Sequence, residues 1–219
     1  ILYIATIATI VNAQEEKESP EVHDDWRLKK EKEGIRIFTR WIEAEEGRKA
    51  RQLHAVMTVE ASMASSVLAL TDPNQVQRWL NRAKTYYHFD EKDGFKWSAY
   101  TEFSIPWPLD NQDLITRNEL NQDPETGDVH ITVMGDPEGM ACKDDVKRIP
   151  HFDGSWSFSR TAQGMVRIDY YIFTKSKPIL PRWIVDPIIE YGLWSTFDEM
   201  RKVIRENLSR EVFNPSIRN

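Results

Sequence analysis

Ser104-Ile105-Pro106-Trp107-Pro108-Leu109-Asp110-Asn111-Gln112-Asp113-Leu114-Ile115-Thr116 joins two strand-like runs, residues 95–103 and 114–120. The reading of this stretch decides the fold. Pro106 and Pro108 fix φ and lack a backbone donor, so the join is a stiff corner and not a two-residue hairpin turn. A rigid corner that presents Trp107 and Leu109 has two readings. It is either the rim of an apolar cavity or a loop whose tryptophan covers the core.

Upstream of the corner, alternation places Trp97, Ala99, Thr101 and Phe103 on one face and Ser98, Tyr100, Glu102 and Ser104 on the other. Glu102 then faces either water or a cavity wall, where it would need a partner or a raised pKa. Downstream, Leu114, Thr116, Asn118 and Leu120 share a face opposite Ile115, Arg117 and Glu119. Further strands are predicted at 35–41, 50–59, 84–90, 129–134, 151–160 and 165–174, with 136–150 as a connecting loop.

Helical patterns cover 14–33 (ending at Gly34), 61–70, 72–80 and 183–208. The last carries a wide apolar stripe, including Ile188, Leu193, Trp194, Phe197 and Met200, and Pro187 should kink or restart it. No repeat or linker divides this series. The order predicts an α+β fold: an antiparallel sheet with helices at its ends and a long terminal helix closing over one face.

The 219 residues suit one large domain or two small ones, and eight tryptophans make a well-buried core feasible. A net charge of −6 argues against a nucleic-acid partner, which calls for a basic surface. A single cysteine, Cys142, rules out an intramolecular disulfide and multi-cysteine zinc sites. Residues 1–11 are largely apolar and lead to Val11-Asn12-Ala13, which reads as a truncated signal peptide over 1–13. The alternative is an apolar first strand or helix packed on the domain. Export, to a periplasm or to the exterior, is the expectation, with residues 14–219 as one domain.

Chemistry-bearing motifs are absent. There is no glycine-rich phosphate loop, no Gly-x-Ser-x-Gly elbow and no His-Glu-x-x-His pair. His23, His54, His88, His130 and His151 fall singly on different elements. The reading therefore names no catalytic residue, no metal site and no cofactor.

The corner Pro106-Trp107-Pro108-Leu109-Asp110-Asn111-Gln112-Asp113 resembles the Pro-aromatic-Pro-Leu-x-Asn-Arg-Asp corner of START domains, the steroidogenic-acute-regulatory-protein-related lipid-transfer family. Trp26 to Ile35 looks like that family's opening helix and first strand. Gly154-Ser155-Trp156-Ser157-Phe158 resembles its penultimate strand. Lys177-Pro178 through Pro181-Arg182-Trp183 resembles its cavity lid. The similarity runs from Asp24 to Asn207 in element order. It implies a helix-grip fold: a curved antiparallel sheet around a long C-terminal helix, with an internal hydrophobic cavity.

The resemblance further implies non-catalytic binding or transfer of a lipid or other hydrophobic small molecule. The tunnel would be gated by the 105–112 loop and the terminal helix. The expected ligand-binding residues are Tyr100, Glu102, Trp107, Leu109, Asn118, Trp156, Tyr170, Trp183, Ile184, Ile188, Trp194 and Phe197. In some family members an acid at the position of Glu102 faces a buried arginine at the position of Asn118. Gln112 also stands where the corner motif has an arginine. A Glu102–Asn118 hydrogen bond is the expected substitute. A monomer with transient membrane contact follows from the same comparison. Two alternatives stay open: a cyclase or hydrolase of the wider superfamily, using Glu102, His54, His88 or Tyr170, and an envelope interaction module with a filled cavity.

Overall fold

The computed structural model describes residues 26–43, 49–105, 110–173 and 182–218, with backbone alone at 49 and 182–185. Strands β1 (Arg27–Lys32), β2 (Ile35–Glu43) and β3 (Lys49–Val59) form an antiparallel meander. Helices α1 (Met63–Thr71) and α2 (Pro73–Trp79) follow. A second group comprises β4 (Ala83–Lys92), β5 (Lys96–Phe103), β6 (Asn111–Gln122), β7 (Val129–Gly135) and the short β8 (Val146–Arg148). β9 (Asp153–Arg160), β10 (Val166–Phe173) and the long α3 (Arg182–Ser209) complete the described elements.

One sheet holds all ten strands in the order β1-β2-β3-β10-β9-β7-β6-β5-β4, with β8 added in parallel beside β6. β10 closes the circuit between the two groups by pairing with β3 in register Val166↔Val59 through Phe173↔Gln52. This is the α+β helix-grip architecture that the sequence predicts.

Local chemistry explains the helix pair. The Ser62 hydroxyl accepts from the Ser65 N–H at 3.1 Å and caps α1. Asp72 ends α1, and its carboxylate accepts from the Asn74 N–H at 2.9 Å to start α2, with Pro73 just inside the helix.

α3 makes its main sheet contacts with β1, β2 and β3 and also packs on α1 and α2. Leu193, Phe197, Met200, Val203 and Ile204 form its buried face. Each such side chain stabilises the fold by about 1.5–3 kcal/mol through its removal from water. Polar contacts fix the position along the sheet. Arg51 pairs with Asp186 and, at 3.4 Å, with Glu190. The Trp194 indole donates to the Lys32 carbonyl at 3.1 Å.

Three expectations need correction. The described part of the segment predicted as a helix over 14–33 is strand β1, folded back on β2 by Glu33 and Gly34 with φ of 53° and 75°. Gly34 does take the positive φ expected of a helix stop, but in a two-residue hairpin turn. Backbone pairing with β2 outweighs the helical propensity of a lysine- and glutamate-rich run. The loop at 136–150 contains β8. Finally, α3 does not restart at Pro187 but continues through it as one helix, because a proline in the second turn removes only one intrahelical donor.

Candidate functional site

A cavity lies where β4 to β7 pass beneath α2 and the end of α1. Its volume is about 70 Å³, and it is partly open to solvent. Leu70, Val76, Trp79 and Leu80 roof it from the helix pair. Tyr86 on β4 and Trp97, Thr101 and Phe103 on β5 form one wall. Leu114, Thr116 and Asn118 on β6 and Ile131 and Val133 on β7 form the floor. Phe152, Trp156 and Tyr170 close the far end. No described lining residue carries a charge.

The aromatic end is rigidly packed. Trp156 stacks on Tyr170 at 3.8 Å between ring centroids and on Phe197 at 5.7 Å, and meets Trp79 edge-on at 5.9 Å. The Trp79 indole donates to the Ala69 carbonyl at 2.7 Å, which ties the roof to α1. Burial pushes the Tyr170 hydroxyl far above the usual tyrosine range, so it stays protonated.

The polar atoms gather on β4, β5 and β6. The Asn118 amide donates to the Thr116 hydroxyl at 3.1 Å and the Trp97 carbonyl at 3.2 Å. Tyr86 Oη and His88 Nε2 share a hydrogen bond of 2.9 Å. Burial lowers the His88 pKa to about 4, so the ring is neutral at physiological pH. It raises Tyr86 well above the tyrosine range, an effect the neighbouring Trp97 indole only partly offsets. The Trp97 Nε1–H is buried beside the Tyr86 hydroxyl.

A different chemistry occupies the outer face of β5 and β6. Glu102 is 4% exposed and accepts from Lys84 at 2.7 Å, Lys143 at 2.9 Å and the Tyr100 hydroxyl at 3.3 Å. Those lysine hydrogen bonds, Lys84 first, hold its carboxyl down to about 2. Tyr100 stacks on Tyr87 and lies under the Lys143 ammonium. Asp113, opposite Glu102 in register, is held by Arg148. The 136–148 segment therefore covers two buried carboxylates.

No protein-family model and no curated protein matches the sequence. Solved structures do. The STAR-related lipid transfer protein of Xanthomonas axonopodis superposes on 83% of this chain and 99% of its own, at 22% identity and a TM-score of 0.72. Human STARD10 superposes on 85% of this chain and 75% of its own, at 17% identity and 0.68. The chain has the START fold. A likeness at 11% identity and 0.50 extends to the Zhui aromatase/cyclase of a Streptomyces species, covering 72% of this chain and 95% of that one.

Within this START fold the residues singled out from sequence separate into groups. Asn118, Trp156 and Tyr170 line the cavity together. Phe197 packs behind Trp156, and Ile188 sits half-buried at the edge of the core. Trp194 is not a lining residue. It bonds the Lys32 carbonyl, with the Lys32 ammonium 4.3 Å from its ring. Trp107 and Leu109, with the Pro106–Pro108 corner, and the side chains of Trp183 and Ile184 lie outside the described residues. So do residues 1–13.

Tyr100 and Glu102 are corrected. The pleat turns both away from the cavity, and the expected Glu102–Asn118 hydrogen bond cannot form through the sheet. Nor is Glu102 in water, because the 136–148 segment buries it. His54 is likewise on the outer face, 2.7 Å from Asp169.

Sequence reasoning missed the other lining residues, Tyr86, Trp97, Thr101 and Thr116 among them. Alternation had grouped Thr116 with Asn118 on the inward face and Trp97 with Thr101 on one face of β5, whose direction it left open. Tyr86 had no such signal, because Thr85-Tyr86-Tyr87-His88-Phe89 shows no apolar–polar alternation.

Proposed function

We propose that this protein binds a hydrophobic small molecule, a lipid by class, and carries it without covalent change. The carrying observation is the cavity itself. Apolar side chains from α1, α2 and six strands line it, with no charge among its described lining residues. Burial of an alkyl chain there contributes about 0.8 kcal/mol per CH₂. The STAR-related lipid transfer protein and STARD10, which share the fold, support the same reading. The 105–112 loop and α3 are the proposed gate.

The likeness to an aromatase/cyclase favours catalysis as the second reading. Such chemistry needs ionisable groups converging on the cavity. Of the four candidates, Glu102 and His54 face the other side of the sheet and Tyr170 is held protonated. That leaves His88, neutral and engaged with Tyr86.

Native mass spectrometry of the protein purified from its own host, followed by organic extraction, tests the proposal. A reproducible mass increment that extracts as an apolar molecule is expected. Purification with water alone would count against carriage. Export under direction of residues 1–13 is a separate proposal, checked by sequencing the N-terminus of the mature protein.

A further inference from the structure

The two edges of the sheet are built differently. β1 forms one edge and β4 the other. β1 carries Arg27, Lys29, Lys30 and Lys32, and its pairing with β2 is interrupted between Leu28 and Lys30. Lysines and a bulge on an edge strand oppose pairing with another chain. β4 has no such guard at its centre. Thr85-Tyr86-Tyr87-His88-Phe89 contains no carboxylate, lysine or arginine. It pairs with β5 without interruption from Thr85↔Glu102 to Phe89↔Ser98, and the two register shifts of β4 fall outside it.

Threonine, tyrosine and phenylalanine are strong strand formers. With β5 on one side, alternate residues of this run turn their N–H and C=O groups to the open side. No described strand pairs with them there. Tyr87, on the outer face, is 39% exposed and stacks on Tyr100. His88 is neutral at physiological pH, so the whole run is uncharged.

The flanking charges say what fits this edge. Lys84 precedes the run, Asp90 follows it, and both are exposed. Lys84 holds Glu102 at 2.7 Å yet leaves 57% of its side chain exposed, so its ammonium has donors to spare. Asp90 has a 3.9 Å contact with Lys92. Now let a second β4 lie antiparallel across a two-fold axis through Tyr87. Tyr87 then meets its own copy, Thr85 meets Phe89, and Lys84 meets Asp90 at both ends. An axis through His88 would instead set Lys84 against Lys92. Aromatic pairs and opposite charges across strands favour pairing, and like charges oppose it.

We propose that β4 is a self-association edge: two copies of this chain join β4 to β4, antiparallel about an axis through Tyr87, into one continuous sheet. The inference does not depend on the carrier reading. One strand edge buries less surface than a standard interface, so the dimer is weak, with a dissociation constant on the order of 0.1 mM.

Sedimentation velocity from about 10 μM to 1 mM should show a monomer–dimer equilibrium. Tyr87→Lys sets two ammonium groups against each other on the axis and should weaken it at least about tenfold. Oxidation reads the register. In a Cys142→Ser background, Tyr87→Cys should give a covalent dimer, because side chains directly opposite lie within disulfide reach. Phe89→Cys should not, because its copy lies four residues away along the strand.

Amide exchange of the wild-type protein needs no variant to fold. Exchange at Thr85–Phe89 should slow as protein concentration rises. A monomer throughout the range overturns the proposal. So does a dimer that Tyr87→Lys leaves unchanged, or one that crosslinks through Phe89→Cys as readily as through Tyr87→Cys. Protection of this run only when a different protein is added assigns the edge to another partner and overturns it too.

Discussion

Arg148 grips Asp113 through two hydrogen bonds, Nε to Oδ1 at 2.7 Å and Nη2 to Oδ2 at 3.0 Å, with the Asp113 carboxylate wholly buried. The same guanidinium donates from Nη1 to the carbonyls of Pro137 and Met140. It therefore pins the 136–148 segment to the outer face of β6, directly behind the cavity floor. Removing one partner of a buried pair strands the other charge. Arg148→Met should cost about 3–5 kcal/mol in urea unfolding. Asp113→Asn added to Arg148→Met should recover part of that loss, since no buried charge is then left unpaired.

Glu102 makes a pH-dependent contribution. Lys84 and Lys143 depress its folded-state pKa to about 2, below the ordinary glutamate value of 4.5. A group depressed on folding stabilises the native state above its unfolded pKa and loses that contribution as pH falls toward the folded one. The window is thus pH 4.5 down to about 2. Glu102→Gln should destabilise by about 1–3 kcal/mol at neutral pH. The difference from wild type should shrink through that window, as read from urea midpoints at each pH. A constant difference down to the bottom of the window would show that the lysine contacts do not set the glutamate's protonation.

Val133 lines the cavity from β7 and is only half-buried, so a larger side chain there can enter the empty space without displacing core atoms. Val133→Phe is expected to reduce ligand binding at least about tenfold while costing no more than about 1–3 kcal/mol of stability. Calorimetric titration with methyl dodecanoate and urea unfolding, run on the same preparation, separate the two effects. Unchanged binding would place the ligand elsewhere.

Gly34 has φ of 75° and nothing within 4 Å of where a Cβ would stand. Gly34→Ala therefore tests backbone strain without steric contact. The expected loss is about 1 kcal/mol, most of it from the left-handed conformation. Thermal unfolding checks it, and a neutral result would argue that the β1–β2 turn is not closed in the unliganded protein.

Much of the site follows from pleat geometry. The alternation of Trp97, Ala99, Thr101 and Phe103 against Ser98, Tyr100 and Glu102 divides β5 correctly, because side chains on a strand have no choice but to alternate. The alternation of β6 puts Thr116 and Asn118 on the cavity side for the same reason. What alternation cannot state is which face is buried by what. Glu102 illustrates this: its face is buried, but under a segment that starts more than thirty residues later. Tyr86 illustrates a different failure, since aromatic residues on both sides of the strand around it leave no apolar–polar period from which its direction could be read.

The apolar stripe of the last helix and the strand periods already implied an antiparallel sheet closed by a long helix, because these are local properties of backbone and side-chain pattern, and the resemblance of the Pro106–Pro108 corner implied the helix-grip arrangement. Strand β1 needed its partner. A charged run with helical propensity becomes a strand only when the Glu33-Gly34 turn folds it onto β2, and that pairing energy is absent from the segment itself. The chemistry of the cavity needed the whole sheet. Glu102 and Asp113 find their cations through contacts between residues far apart in the chain. Burial makes those pairings decisive, since an unpaired charge or donor inside the protein has no water to fall back on.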